Sequence, residues 1–318
     1  MRFTQGAGAA CTPRLASGGD PGGPRSWVRR MLPRLGLAVT AAALLTAGVP
    51  GTAGARTGPS YVALGDSYTA GPLIPDLTGS PAGCARSNHN YPSLAAAALG
   101  AASFTDVSCQ GATTANMSQP ESVPLGSNPP QLNALTSGTT LVTLQVGGND
   151  INFIDIVINC TTLSFTDPFG APCKAHYTSG GTDQLRQAVS QTAPKVAAVL
   201  QAIHQRAPRA RVLLVGYPVI LPNSGNGCWP AVPIAFGDVP YLRGVEADLN
   251  HMLATQAAAN NATFVNTYTD SIGHDVCEPP GTEWVEGLVP VSPGAPFHPN
   301  AAGERAMARQ VETVAAAG

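Results

Sequence analysis

Charge is scarce in this sequence. Only 11% of its 318 residues are Asp, Glu, Lys or Arg, against roughly 25% in an average soluble domain. The charges present nearly cancel, with Lys+Arg 17 against Asp+Glu 19 and a net charge of −2. No positive field exists to hold a polyanion by counterion release, which argues against nucleic acid as a partner. Metal-ligand spacing is missing too. None of the cysteines beyond residue 55 forms a C-x2-C or C-x4-C pair, and no histidine stands near enough to complete a zinc knuckle. No internal repeat is visible, so the chain is not a solenoid.

A long apolar run is also absent. The stretch Leu35 to Val49 is too short and too rich in alanine for a comfortable membrane span. It follows Arg25, Arg29, Arg30 and Arg34 and precedes Ala53-Gly54-Ala55, an order that reads as a secretory signal with a small-residue cleavage site. The expected organisation is an N-terminal extension and signal peptide over 1–55 and one folded domain over 56–318, secreted and extracellular, without a stable membrane anchor. Cysteine usage points the same way. Cys84, Cys109, Cys160, Cys173, Cys228 and Cys277 remain after cleavage, and an even number suits a disulfide-bonded exported domain, although six cysteines allow fifteen connectivities.

Short apolar runs alternate with amphipathic stretches along the domain, the pattern of a parallel sheet covered by helices. Five strands are expected, at Tyr61 to Leu64, Phe104 to Val107, Leu141 to Val146, Arg211 to Val215 and Thr263 to Asn266, each apolar enough to be buried on both faces. Helical periodicity marks Asp183 to Gln205, Tyr241 to Gln256 and a C-terminal helix from about Asn300 to Ala316. Pro194 is expected to kink or split the first of these. The stretches Asn152 to Thr182 and Pro218 to Pro240, rich in Pro, Gly and aromatics, read as loops forming the walls of a groove. Phe153, Phe165, Phe169, Trp229 and Phe236 are its candidate apolar lining.

Four short segments carry chemistry. Gly65-Asp66-Ser67 follows the first strand, and carboxyl ends of strands are where ligands bind in open α/β sheets. The serine does not sit in a G-x-S-x-G elbow, so any nucleophile here is presented differently. Gly111 follows Cys109-Gln110 and can expose its amide hydrogen without a side chain in the way. Gly147-Gly148-Asn149-Asp150 follows the third strand, and Asn149 offers an amide donor of the kind that stabilises a developing oxyanion. Pro296-Phe297-His298-Pro299 holds a histidine between prolines at the start of the last helix. Among the other histidines only His274 competes with it as a catalytic base.

Taken together, Ser67, Gly111, Asn149 and His298 stand in the chain order of the four blocks of the SGNH, or GDSL, hydrolases, and the chain resembles that family from about Tyr61 to its end. The six cysteines and the closing His-Pro-Asn-Ala-Ala-Gly segment are similar to its secreted actinobacterial esterases and lipases. That resemblance implies a three-layer, flavodoxin-like α/β/α fold and hydrolysis of acyl esters, with Ser67 as nucleophile and His298 as general base. It implies an oxyanion hole from Ser67, Gly111 and Asn149, and pairing of sequential cysteines. No metal or organic cofactor is called for, and a monomer is expected. Many members carry Asp three residues before the histidine, where this chain has Ala295. The resemblance to members that use a main-chain carbonyl instead makes the Ala295 carbonyl the expected acceptor for His298. Two other readings stand beside the esterase: a carbohydrate acetyl-esterase of the same family, and a secreted binding module without catalysis.

Overall fold

The computed structural model describes residues 58–317, so the expected signal peptide and cleavage site lie outside the described residues. Five strands form one parallel sheet: β1 (Ser60–Gly65), β2 (Ser103–Asp106), β3 (Leu141–Gln145), β4 (Arg211–Val215) and β5 (Thr263–Val265). Their order is β2-β1-β3-β4-β5, the flavodoxin-like arrangement. Tyr61 of β1 pairs with Leu141 of β3, and Val142 with Val212 of β4.

Alternation along the central strands separates two cores. Val62, Leu64, Val142, Leu144 and Leu214 face α5 (Gln184–Arg206) and α6 (Val239–Ala259), which present Val196, Leu200, Leu249 and Leu253. Tyr61, Ala63, Leu141, Leu213 and Val215 face α2 (Tyr91–Ala98) and α7 (Ala301–Ala316), which present Ala95, Met307 and Val311. The result is three layers. The outer strands β2 and β5 are only half-buried, because each has a single neighbour in the sheet.

Two local expectations need correction. The stretch 152–182 is not a loop, since it contains α3 (Phe153–Ser164) and α4 (Pro172–Thr178). Helix α3 buries Ile156, Cys160 and Ser164 at helical spacing, but its exposed side mixes Ile154 and Ile158 with Asp155, Asn159 and Thr162, so its apolar residues do not mark a single face in the sequence. Pro194 does not split α5, which continues to Arg206. One donor is lost there, while Thr192 and Val196 on either side are fully buried and hold the flanking turns on the core.

Three disulfides join sequential cysteines, Cys84–Cys109, Cys160–Cys173 and Cys228–Cys277. The second ties α3 to α4, and the third ties the irregular segment after β4 to the one after β5. Replacing Cys84 and Cys109 together by alanine is expected to cost about 3 kcal/mol, from the loop-closure entropy returned to the unfolded chain. Urea unfolding measures it, and a loss below about 1 kcal/mol would show that the bridge constrains little.

Candidate active site

β1 delivers Ser67 to the carboxyl edge of the sheet at the topological switch point, between two strands whose connections leave in opposite directions. The serine opens the single-turn α1 (Ser67–Ala70), capped by Asp66, whose carboxylate accepts the Tyr68 N–H at 3.0 Å. Gly65 has to be glycine, since a Cβ there would lie 2.8 Å from the Gln145 carbonyl oxygen.

His298 reaches the serine across 231 positions of sequence. Its Nε2 stands 2.8 Å from Ser67 Oγ, and its Nδ1 stands 2.7 Å from the main-chain oxygen of Pro296. A carbonyl only accepts, so Nδ1 carries the hydrogen and Nε2 is left bare to take the serine proton. The acceptor is therefore Pro296 and not Ala295. The Ala295 oxygen is engaged by the main-chain N–H of His298 at 3.1 Å, and the left-handed turn at Phe297, with φ 59°, swings the ring over the next carbonyl. That strained residue is held by Tyr68 Oη, which donates to the Phe297 oxygen, and by Phe297 N–H donating to the Glu286 oxygen.

Three donors surround the serine. Neither the N–H of Ser67 nor that of Gly111 has an acceptor among the described residues. Gly111 sits at φ +88°, a conformation that L side chains rarely adopt. Asn149, at the carboxyl end of β3, gives one Nδ2 hydrogen to the Ala112 oxygen at 3.0 Å and keeps the other. Ser67, Gly111, Asn149 and His298 line one open cleft. Below it, a chamber walled by Ile151, Phe153, Ile156, Ile220, Leu221, Ile234, Val245, Leu249 and Phe297 opens beside Ser67. Of the five aromatics expected to line a groove, only Phe153 reaches it. Phe165 packs on Trp229 and Phe169 on Phe236, away from the serine.

Other groups set this geometry and carry no sequence signal of their own. Tyr217, just beyond β4, donates its hydroxyl to Asp66 at 2.5 Å and accepts the Gly148 N–H at 2.9 Å, locking the serine turn to the asparagine turn. Burial pushes the Asp66 carboxyl up to about 7 against the pull of that hydrogen bond. Asp150 accepts from the N–H and hydroxyl of Thr114, fixing the segment that bears Gly111. His274 is no competitor for the serine, because it stacks on Trp284 at 3.7 Å and its Nδ1 pairs with the Thr282 oxygen.

His298 is 7% exposed, packed on Tyr68 and Phe153, and burial lowers its pKa below 6.5 despite the bond to Pro296. A base with a lowered pKa stays neutral further into acid. The acid limb of the kcat/KM profile is therefore expected to have its midpoint below about 6.5. A midpoint above about 7 would place an anionic partner beside the ring.

The chain matches the GDSL-like Lipase/Acylhydrolase family over residues 63–306. It is 39% identical over 297 residues to Lipase 2 of Streptomyces coelicolor, covering 92% of this chain and 98% of that protein. Among solved structures, phospholipase A1 from Streptomyces albidoflavus NA297 superposes with a TM-score of 0.66 at 27% identity, covering 82% of this chain and 99% of the other. The extracellular lipase from Streptomyces rimosus gives 0.64 at 28%, covering 80% and 98%.

Proposed function

The chain belongs to the GDSL-like lipase/acylhydrolase family, and from that premise we propose that it is a secreted serine esterase or lipase working through an acyl-enzyme on Ser67. The observation that carries this reading is the 2.8 Å contact between Ser67 Oγ and a His298 Nε2 whose tautomer is fixed from behind. Ser67 Oγ attacks the ester carbonyl as Nε2 takes its proton. The oxygen that becomes negative is met by the N–H groups of Ser67 and Gly111 and the second Nδ2 hydrogen of Asn149. The imidazolium then protonates the departing alcohol, and water, activated by the same imidazole, releases the acid.

An apolar chamber beside the nucleophile suits a hydrocarbon acyl chain. All the groups in these steps come from one chain, so the reaction needs neither a second subunit nor a cofactor. Export is supported by the signal-like segment within residues 1–55, ahead of the hydrolase domain over 56–318, and by three disulfides. Among the described residues no helix is long and apolar enough to cross a membrane.

A panel of p-nitrophenyl esters of rising chain length, with a phospholipid and an acetylated sugar beside it, tests the reading. Hydrolysis that improves beyond acetyl supports it. Activity confined to the acetylated sugar would shift it to a carbohydrate acetyl-esterase.

A further inference from the structure

The chamber and the cleft over Ser67 differ in chemistry, and an ester has two halves to place. The chamber is almost wholly apolar, whereas the cleft is walled in part by Gln110, Asn116, Glu121 and Ser122. Gln110 already donates to the Gly83 oxygen, and the Asn116 side-chain oxygen already accepts from Thr113. Glu121 is different. It is 8% exposed, and its carboxyl makes no hydrogen bond among the described residues. One oxygen, Oε2, is sealed from solvent without a partner, and Oε1 lies 3.4 Å from where a Cβ on Gly111 would stand.

Glu283 and Glu304 each also leave one buried oxygen unpaired but bond through the other, whereas neither oxygen of Glu121 has a partner, and its Oε1 is not sealed, so a group arriving in the cleft can pair with it there. The chemistry of that partner can be narrowed. No lysine or arginine lines the cleft, which leaves a phosphate-bearing head group without a counter-charge. Burial, and after it the Asp66 charge, pushes the Glu121 carboxyl up to about 7, so near neutrality much of it is protonated. A neutral carboxyl both donates and accepts, which matches a hydroxyl better than an ammonium.

We propose that Glu121 is a specificity-determining residue that hydrogen-bonds a free hydroxyl on the alcohol half of the ester, so that partial esters of polyols are preferred over esters of simple alkanols. The proposal rests on the reading of this cleft as an ester-hydrolysing site. Sites built to pair a hydroxyl reject analogues that lack it, because the buried polar group is then left alone.

The test compares kcat/KM for 1-monobutyrylglycerol and ethyl butyrate in the wild type, Glu121→Gln and Glu121→Leu. The wild type is expected to prefer the glyceryl ester by at least about tenfold. Glu121→Gln, which still donates and accepts, keeps that ratio within about threefold, and Glu121→Leu reduces it by about tenfold. A second comparison needs no variant: methylating both free hydroxyls of monobutyrylglycerol is expected to remove the wild-type preference. Hydrolysis of both esters with an equal rate in the wild type, or a ratio unchanged by Glu121→Leu, overturns the role of Glu121 alone. Hydrolysis of neither ester by the wild type overturns the hydrolase reading and this proposal with it.

Discussion

Ser67→Ala is expected to lower kcat on a p-nitrophenyl ester by about 10⁴ or more, since with Ser67 as the proposed nucleophile the variant keeps only what the oxyanion donors and binding supply. The fold survives. Ser67 Oγ makes a single side-chain hydrogen bond, to His298 Nε2, and lies in a turn at the sheet edge rather than in either core. Losing that bond costs about 1 kcal/mol, a shift of roughly 2–4 °C in Tm for a domain this size. A large kinetic loss on an almost unshifted melting curve separates a nucleophile from a structural serine. A variant keeping more than about a tenth of wild-type kcat would remove Ser67 from the mechanism.

His298→Ala has an effect of similar size, and its contrast with the nearby acids decides how the imidazole is supported. In a triad, replacing the carboxylate by an amide costs about 10⁴ in kcat, some 5 kcal/mol of transition-state stabilisation, largely through the wrong tautomer. Here the Nδ1 hydrogen goes to the Pro296 oxygen. None of the acids nearest in sequence is hydrogen-bonded to the ring, whose partners are the Pro296 oxygen and Ser67 Oγ. Asp275 accepts from Cys277 N–H, Glu286 accepts from Val291 N–H, Ser292 N–H and Asn300 Nδ2, and Asp270 pairs with Gln310. Neutralising Asp270, Asp275, Glu278, Glu283 or Glu286 singly to the amide is therefore expected to leave kcat within about tenfold in every variant that folds. Glu286→Gln carries the most structural risk, because it holds the turn leading to His298. A thousandfold loss in any of the five, with folding intact, would replace the Ser/His pair by a triad.

The sheet was legible in the sequence because its central strands are buried on both faces and read as unbroken apolar runs, as in Leu141 to Val146. The three-dimensional meeting of Ser67 with His298 was not legible from spacing. It entered through the family resemblance, which matches four blocks in order. Ala295 shows where such reasoning ends. The missing carboxylate is visible in the sequence, but which carbonyl replaces it depends on the left-handed turn at Phe297, and nothing in Pro296-Phe297-His298 announces that backbone angle. Tyr217 escaped for a related reason. A lone tyrosine after a strand looks like packing until Asp66 and Gly148 are seen on either side of its hydroxyl. Helix α3 was hidden because Ile154 and Ile158 stand on its outward side among Asp155, Asn159 and Thr162, which blurs the apolar stripe.

The most direct test of the central claim is covalent trapping. A fluorophosphonate phosphonylates an activated serine and stops at an adduct that water does not readily release. Incubating the purified protein with it, then following intact mass, residual esterase activity and the peptide map together, reports the nucleophile without relying on a variant. The expected result is one adduct per chain, carried by the peptide at Ser67, accumulating in step with loss of activity. An adduct on a different residue, or full activity in protein labelled at Ser67, would contradict the account.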